Sequence, residues 1–213
     1  SEQYNFSLKS IAIFAFSEGL CFNQNFILSL EMTFYSIHKL KNDSLDIQKN
    51  VANFNNETGG HSEKVLDAHL IVISPGVPDR IPIIQECQNQ DIPIISEIEF
   101  ASWFTKAPIL ALTGSNGKTT TINLLHDMCI SDGKNSFLGG NVGIPFSENV
   151  LWELESKIIN AVHVLELSSF QLEYIQSFSP VIAGLLNISE DHMDRYNNIH
   201  DYSNNKIKLT KNP

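Results

Sequence analysis

A short apolar run, Pro108-Ile-Leu-Ala-Leu-Thr113, passes without a break into Gly114-Ser115-Asn116-Gly117-Lys118-Thr119-Thr120-Thr121. Leu124, Leu125 and Met128 then follow at helical spacing. A buried strand, a tight glycine turn and a helix start in direct succession belong to an α/β architecture. They also build an anion site. The N–H groups of the turn point inward, the helix end adds partial positive charge, and Lys118 can reach the β/γ-phosphates of a nucleotide. The Thr119 hydroxyl suits Mg²⁺. The spacing departs from the common G-x-x-x-x-G-K-[ST] pattern, because Leu112 stands where the first glycine would be. The competing reading is an ordinary strand-to-helix turn with a surface lysine.

The rest of the chain repeats the alternation. Most of the apolar runs at 11–16, 70–74, 92–95, 162–167 and 181–187 are rich in Ile, Val and Leu and carry no polar alternation. Strands covered on both faces look like this, so a parallel sheet is expected. Helices are expected over 119–130 and 168–176, and a domain boundary near Phe104–Pro108. Residues 41–63, polar and Asn-rich, read as a loop, as do 197–205, which open a helix. With 42% hydrophobic and 18% charged residues, the 213-residue chain can bury a real core. A formal net charge of −10 disfavours broad binding of nucleic acid, yet leaves room for a local phosphate site. Cys21, Cys87 and Cys129 are scattered and odd in number, which fits reduced thiols in a cytoplasmic protein. No run is long enough to span a membrane and no signal peptide is evident, so no membrane partner is expected.

Three further segments place polar groups at strand ends, where open α/β sheets bind ligands. Glu166 ends the run Val162-His-Val-Leu-Glu166 and can hold Mg²⁺ or serve as a helix-entry charge. Ser168 and Gln171 form a capping-box pattern just after it. Past the run 181–186, Asn187-Ile-Ser-Glu190-Asp191-His192-Met-Asp194 crowds a histidine with carboxylates that suit a metal or a nucleotide. Weaker signals are the loop Gly139-Gly140-Asn141-Val-Gly143-Ile-Pro145, the turn Ser74-Pro75-Gly76, and Phe14-Ala-Phe16-Ser17-Glu18-Gly19 after the first strand.

Together these stretches resemble the ATP-dependent Mur ligases. The motifs that carry the likeness are Thr113–Thr120, Gly139–Pro145, Leu165-Glu-Leu-Ser-Ser-Phe-Gln-Leu-Glu173 and Leu186-Asn-Ile-Ser-Glu-Asp-His-Met-Asp-Arg-Tyr196, with Ser74-Pro-Gly76 in support. The resemblance is strong over 106–206 and weak over 1–68. It implies a Rossmann-like N-terminal domain at 1–105 that binds a UDP-linked substrate. A P-loop-type parallel-sheet ATP-binding domain then begins at 106–213 and is incomplete, and the C-terminal amino-acid-binding domain is absent.

The resemblance also implies a chemistry. ATP phosphorylates a substrate carboxylate, an amine attacks the acyl phosphate, and ADP and phosphate leave. The branch whose motifs match best joins D-glutamate to UDP-N-acetylmuramoyl-L-alanine in peptidoglycan precursor synthesis. Implied catalytic residues are Lys118, Glu166, His192 and Lys206. Gly114, Ser115, Asn116, Gly117, Lys118, Thr119 and Thr120 would bind ATP. Ser17, Glu18, Ser74, Pro75, Gly76, Asn141, Ser168, Gln171 and His192 would contact substrate. Thr119, Glu166, His192 and Lys206 would serve two Mg²⁺ ions, Lys206 as a carbamylated lysine. A monomer is implied, and the chain alone is expected not to ligate. The first turn departs from the family: Phe14 and Phe16 replace its glycines, and Glu18 stands where a small hydroxyl residue is usual. Another ligase of the superfamily, such as a folylpolyglutamate synthase, and a non-catalytic nucleotide-binding module stay as alternatives.

Overall fold

The computed structural model describes residues 11–14, 63–75, 77, 80–191, 195–196 and 198–211. Contacts divide the chain into two units, Ser1–Ile95 and Ser96–Pro213.

In the first unit, β1 (Ile11–Phe14), β2 (Leu70–Ile73) and β3 (Ile94–Ser96) form a sheet in the order β1-β2-β3. β1 and β2 run parallel, with Ile11 opposite Leu70. All four residues of β2 are buried, which accounts for a Leu-Ile-Val-Ile run with no polar alternation. Helix α1 (Pro82–Asn89) opens on a proline at its first position, where the missing N–H has no helical partner to lose, and buries Ile84 and Cys87.

The second unit holds β4 (Ile109–Thr113), β5 (Asn135–Gly140), β6 (Ala161–Glu166) and β7 (Ile182–Leu185), with α2 (Glu97–Ser102), α3 (Lys118–Ser131), α4 (Phe146–Ser156) and α5 (Ile199–Lys211). The strand order is β5-β6-β4-β7, and every pair is parallel. From β4 the chain runs out through α3 to β5 and returns through α4 to β6. It then crosses to β7 on the other side of β4. The sheet therefore changes winding direction at β4, and a crevice opens beyond the strand ends at such a point. Alternate residues of each strand serve opposite layers. Ile109, Ala111 and Leu165 pack with Phe146, Val150 and Phe178, while Leu112, Val162 and Val164 pack with Ile122. The α/β class with parallel strands agrees with the sequence reading.

Three local features differ from the sequence expectation or add to it. Residues 168–176 form turns, not a helix. The capping box is made, with Gln171 N donating to Ser168 Oγ and Ser168 N to Gln171 Oε1. The chain is then captured from outside: Tyr174 O accepts from Ser96 N, and the amides of Gln176, Ser177 and Phe178 donate to the Glu99 carboxylate. Those groups cannot also extend a helix. Second, Gly139-Gly140 ends a six-residue strand, and only the residues after it form the loop. Third, the contact division falls ahead of α2. Ile98 and Ala101 belong to the second core, and Glu97 accepts from Ser147 N at 2.6 Å, capping α4. Its burial raises the pKa of Glu97 above the ordinary carboxylate value.

Candidate active site

The site lies at the C-terminal ends of β4, β6 and β7, and its centre is the glycine turn. Gly117 takes φ +81° as the residue before α3, a left-handed conformation that favours glycine. The first amides of α3 have no carbonyl one turn back, so the helix end is an anion site. Lys118 Nζ folds back onto Ser115 O at 3.0 Å, within the turn it would serve.

Glu166 ends β6 beside this turn. Only 1% exposed, it accepts from Thr119 Oγ1 at 2.8 Å and from Asn141 Nδ2 at 3.1 Å. Asn141 also donates its backbone N–H to Glu166 O at 2.7 Å. This second contact depends on Gly140, whose φ is +94° and whose added Cβ would lie 2.3 Å from Glu166 O. The strand-end carboxylate, the helix-start hydroxyl and the loop amide thus meet at one point. A carboxylate and a hydroxyl are hard oxygen donors, so the pair suits Mg²⁺. Thr120 follows on the exposed side of the first turn of α3.

Lys206 reaches the same turn from α5. It is 2% exposed, donates to Gly114 O at 2.8 Å and lies 4.7 Å from the Tyr202 ring centroid. Burial, and then the positive charge of Lys118, push its pKa down to about 8, while Asp191 and Glu166 act the other way. Lys208, two residues on, instead donates to Glu173 O, away from the turn.

The remaining expected residues fall into separate groups. Ser168 and Gln171 bond to one another, and Gln171 is buried. Ser74 directly follows β2 in the first unit. Its hydroxyl is buried and unpaired among the described residues, and Pro75 follows it. Ser17, Glu18, Gly76 and His192 lie outside the described residues, as do Phe16 and Cys21. Among the described residues no group of three or more His, Cys, Asp or Glu side chains gathers as a metal site.

Four residues of this neighbourhood had no role from the sequence. Thr113 donates its hydroxyl to Leu167 O at 2.8 Å. Tyr202 OH and Ser115 Oγ are 3.0 Å apart. Asn187 and Ser189 bond to the glycine turn. Their position just past a strand end was the signal available.

The model for the Mur ligase middle domain matches residues 112–213. A UDP-N-acetylmuramoylalanine–D-glutamate ligase of Chlorobaculum parvum is 48% identical over 158 residues, 72% of this chain and 33% of its own length. Residues 112–213 are thereby assigned to the Mur ligase middle-domain family. Another such ligase, from Desulfatibacillum aliphaticivorans, is 43% identical over 157 residues, 73% of this chain and 34% of its own. The chain thus spans about a third of the length of the curated relatives it matches. The solved UDP-N-acetylmuramate–alanine ligase of Thermotoga maritima aligns at 24% identity and a TM-score of 0.40, covering 68% of this chain and 34% of that one. Lys118, Thr119, Asn141, Glu166 and Lys206 all lie within the matched Mur ligase segment. Among the described residues no helix is long and apolar enough to cross a membrane.

Proposed function

We propose that the whole protein is an ATP-dependent ligase of peptidoglycan precursor synthesis that adds D-glutamate to UDP-N-acetylmuramoyl-L-alanine. The observation that carries the reading is the meeting of Lys118, Thr119, Asn141 and Glu166 at one mouth of the second unit. The two relatives described above, both named for this reaction, support the choice of substrates.

The ligation forms an amide by way of an acyl phosphate. ATP gives its γ-phosphoryl group to the alanyl carboxylate, the D-glutamate amine displaces phosphate, and ADP and phosphate leave. This needs positioning and charge neutralisation more than a covalent enzyme intermediate. Lys118 leaves Ser115 O and neutralises phosphate oxygens, while the α3 amides hold them. Thr119 and Glu166 hold Mg²⁺, which neutralises phosphate charge when bound. Asn141 fixes the Glu166 carboxylate, and Asn141, Ser168, Gln171 and His192 are the residues assigned to substrate contact. Ser17, Glu18 and Ser74–Gly76 belong to the domain that holds the uridine end.

Lys206 is proposed as a carbamylated lysine serving a second Mg²⁺. Carbamylation needs the neutral amine, which adds CO₂ and releases a proton. A pKa of about 8 makes that form available near neutral pH. The protein is placed in the cytoplasm, as a monomer.

The test is phosphate release by the full-length protein with ATP, UDP-N-acetylmuramoyl-L-alanine and D-glutamate. Release should depend on D-glutamate, and Lys118→Ala should lower it by at least about a hundredfold, as loss of a charge-stabilising donor does. Unchanged turnover in Lys118→Ala overturns the phosphate-loop assignment. Release driven as well by other amino acids overturns the D-glutamate assignment.

A further inference from the structure

The part of the glycine turn before Lys118 is held from outside. Ser115 N donates to Asn187 O at 3.1 Å, and Asn116 N donates to Asn187 Oδ1 at 2.9 Å. Asn187 Nδ2 donates back to Asn116 O, also at 2.9 Å. One carboxamide therefore satisfies both backbone groups of Asn116, as a neighbouring strand would. Its orientation is fixed, because turning it over would set oxygen against oxygen and N–H against N–H. Next along, Ser189 N donates to Ser115 Oγ at 2.9 Å and Ser115 Oγ to Ser189 O at 3.0 Å, so Tyr202 is left to donate to the Ser115 oxygen. Asn116 Nδ2 adds a bond to Ser189 Oγ at 3.2 Å.

This arrangement answers the short spacing of the turn. With Leu112 in place of an earlier glycine, the loop is tight, and the segment that follows β7 supplies its partners. The two chains lie close: a Cβ on Gly114 would meet Leu186 Cβ at 3.1 Å and Asn187 N at 3.3 Å. It also divides the amides of the turn. Those of Ser115 and Asn116 are spent on Asn187, so an anion is received by the amides at the start of α3.

We propose that Asn187 is a positioning residue for the phosphate loop: its carboxamide closes the turn from outside and holds it ready before a nucleotide arrives. The proposal rests on the ATP-dependent reading above.

The experiment is calorimetric titration of the full-length protein with a non-hydrolysable ATP analogue and Mg²⁺, for the unaltered protein, Asn187→Ala and Asn187→Asp. Loss of two neutral hydrogen bonds should weaken binding about tenfold in Asn187→Ala. The KM for ATP should rise by a similar factor while kcat falls less than about threefold, a split that general loosening of the fold does not produce. Asn187→Asp has the same shape and keeps the acceptor for Asn116 N–H, but turns the donor into an oxygen facing Asn116 O. It should bind no better than Asn187→Ala, whereas a packing role predicts recovery. Should Asn187→Ala unfold, Asn187→Asp carries the comparison alone. Affinity within about twofold of the unaltered protein in Asn187→Ala, or recovery in Asn187→Asp, overturns the proposal and leaves the ATP reading standing. No binding by the folded, unaltered protein overturns both.

Discussion

Replacing Gly140 by alanine tests how the strand end holds the site together. Gly140 sits at φ +94°, and its new Cβ would lie 2.3 Å from Glu166 O and 3.2 Å from the carbonyl carbon. A left-handed backbone costs an L-residue about 1–2 kcal/mol. The clash is with backbone, so it cannot be relieved by turning a side chain. The carbonyl must move, and its 2.7 Å bond from Asn141 N is lost, at about 1 kcal/mol more. The expected total is about 3 kcal/mol, among the larger effects of single substitutions. Gly133 supplies the control. Its φ is +76°, but a Cβ there meets nothing within 4 Å, so Gly133→Ala should cost only the backbone part, about 1 kcal/mol. Urea unfolding of the full-length protein, followed by tryptophan fluorescence, compares the two midpoints. Gly140→Ala should also lose activity, since Asn141 and Glu166 move with it. Equal midpoint shifts for the two variants would refute the steric reasoning.

Other expectations concern buried charge. With CO₂ excluded so that its amine is free, Lys206 has a folded pKa of about 8 against 10.5 for an ordinary lysine, so between those values the folded state binds fewer protons than the unfolded one. Stability should therefore rise with pH across that window, and Lys206→Met should show a shallower rise in urea midpoints measured between pH 7.5 and 10. Lys208, also shifted down, keeps a residual slope. Glu99 is fully buried and accepts from Trp103 Nε1, the hydroxyl of Ser177, and the amides of Gln176, Ser177 and Phe178. Glu99→Gln turns one acceptor into a donor facing these N–H groups, and should lower stability by about 3 kcal/mol in the same unfolding assay. A loss below about 1 kcal/mol would show that the segment 176–178 does not depend on this carboxylate.

The strand-turn-helix at the centre of the site was legible because every signal in it is local. Ile109–Thr113 is apolar on both faces, Gly117 supplies the left-handed turn, and α3 follows at once. The place of Glu166 at a strand end was legible as well, since it closes a run of buried residues. What the sequence hid is supplied from a distance. α4 follows Pro145 with no side-chain cap of its own, and its capping group is Glu97, far back in the chain. The stretch 168–176 carries a sound helix signature in Ser168 and Gln171, yet Glu99 and Ser96 claim the backbone groups that would continue it. β5 reads Asn-Ser-Phe-Leu-Gly-Gly, which looks like loop. It is a strand because β6 offers a six-residue parallel register. Asn187 likewise shows its use only when the turn it closes is beside it.

Helix α2 bears on how a protein of this kind can be taken apart. By position in the chain it follows β3 and precedes the turn at Phe104–Pro108, so a gene cut at that turn would look tidy. By contact it is inseparable from what comes after: Ile98 and Ala101 complete one layer, Glu97 holds the start of α4, and Glu99 gathers the backbone of 176–178. A piece beginning at 106 would lose the carboxylates of Glu97 and Glu99 that accept from those amides, whereas one beginning at Ser96 would keep them. The division between the two units thus falls one helix earlier than the turn at Phe104–Pro108.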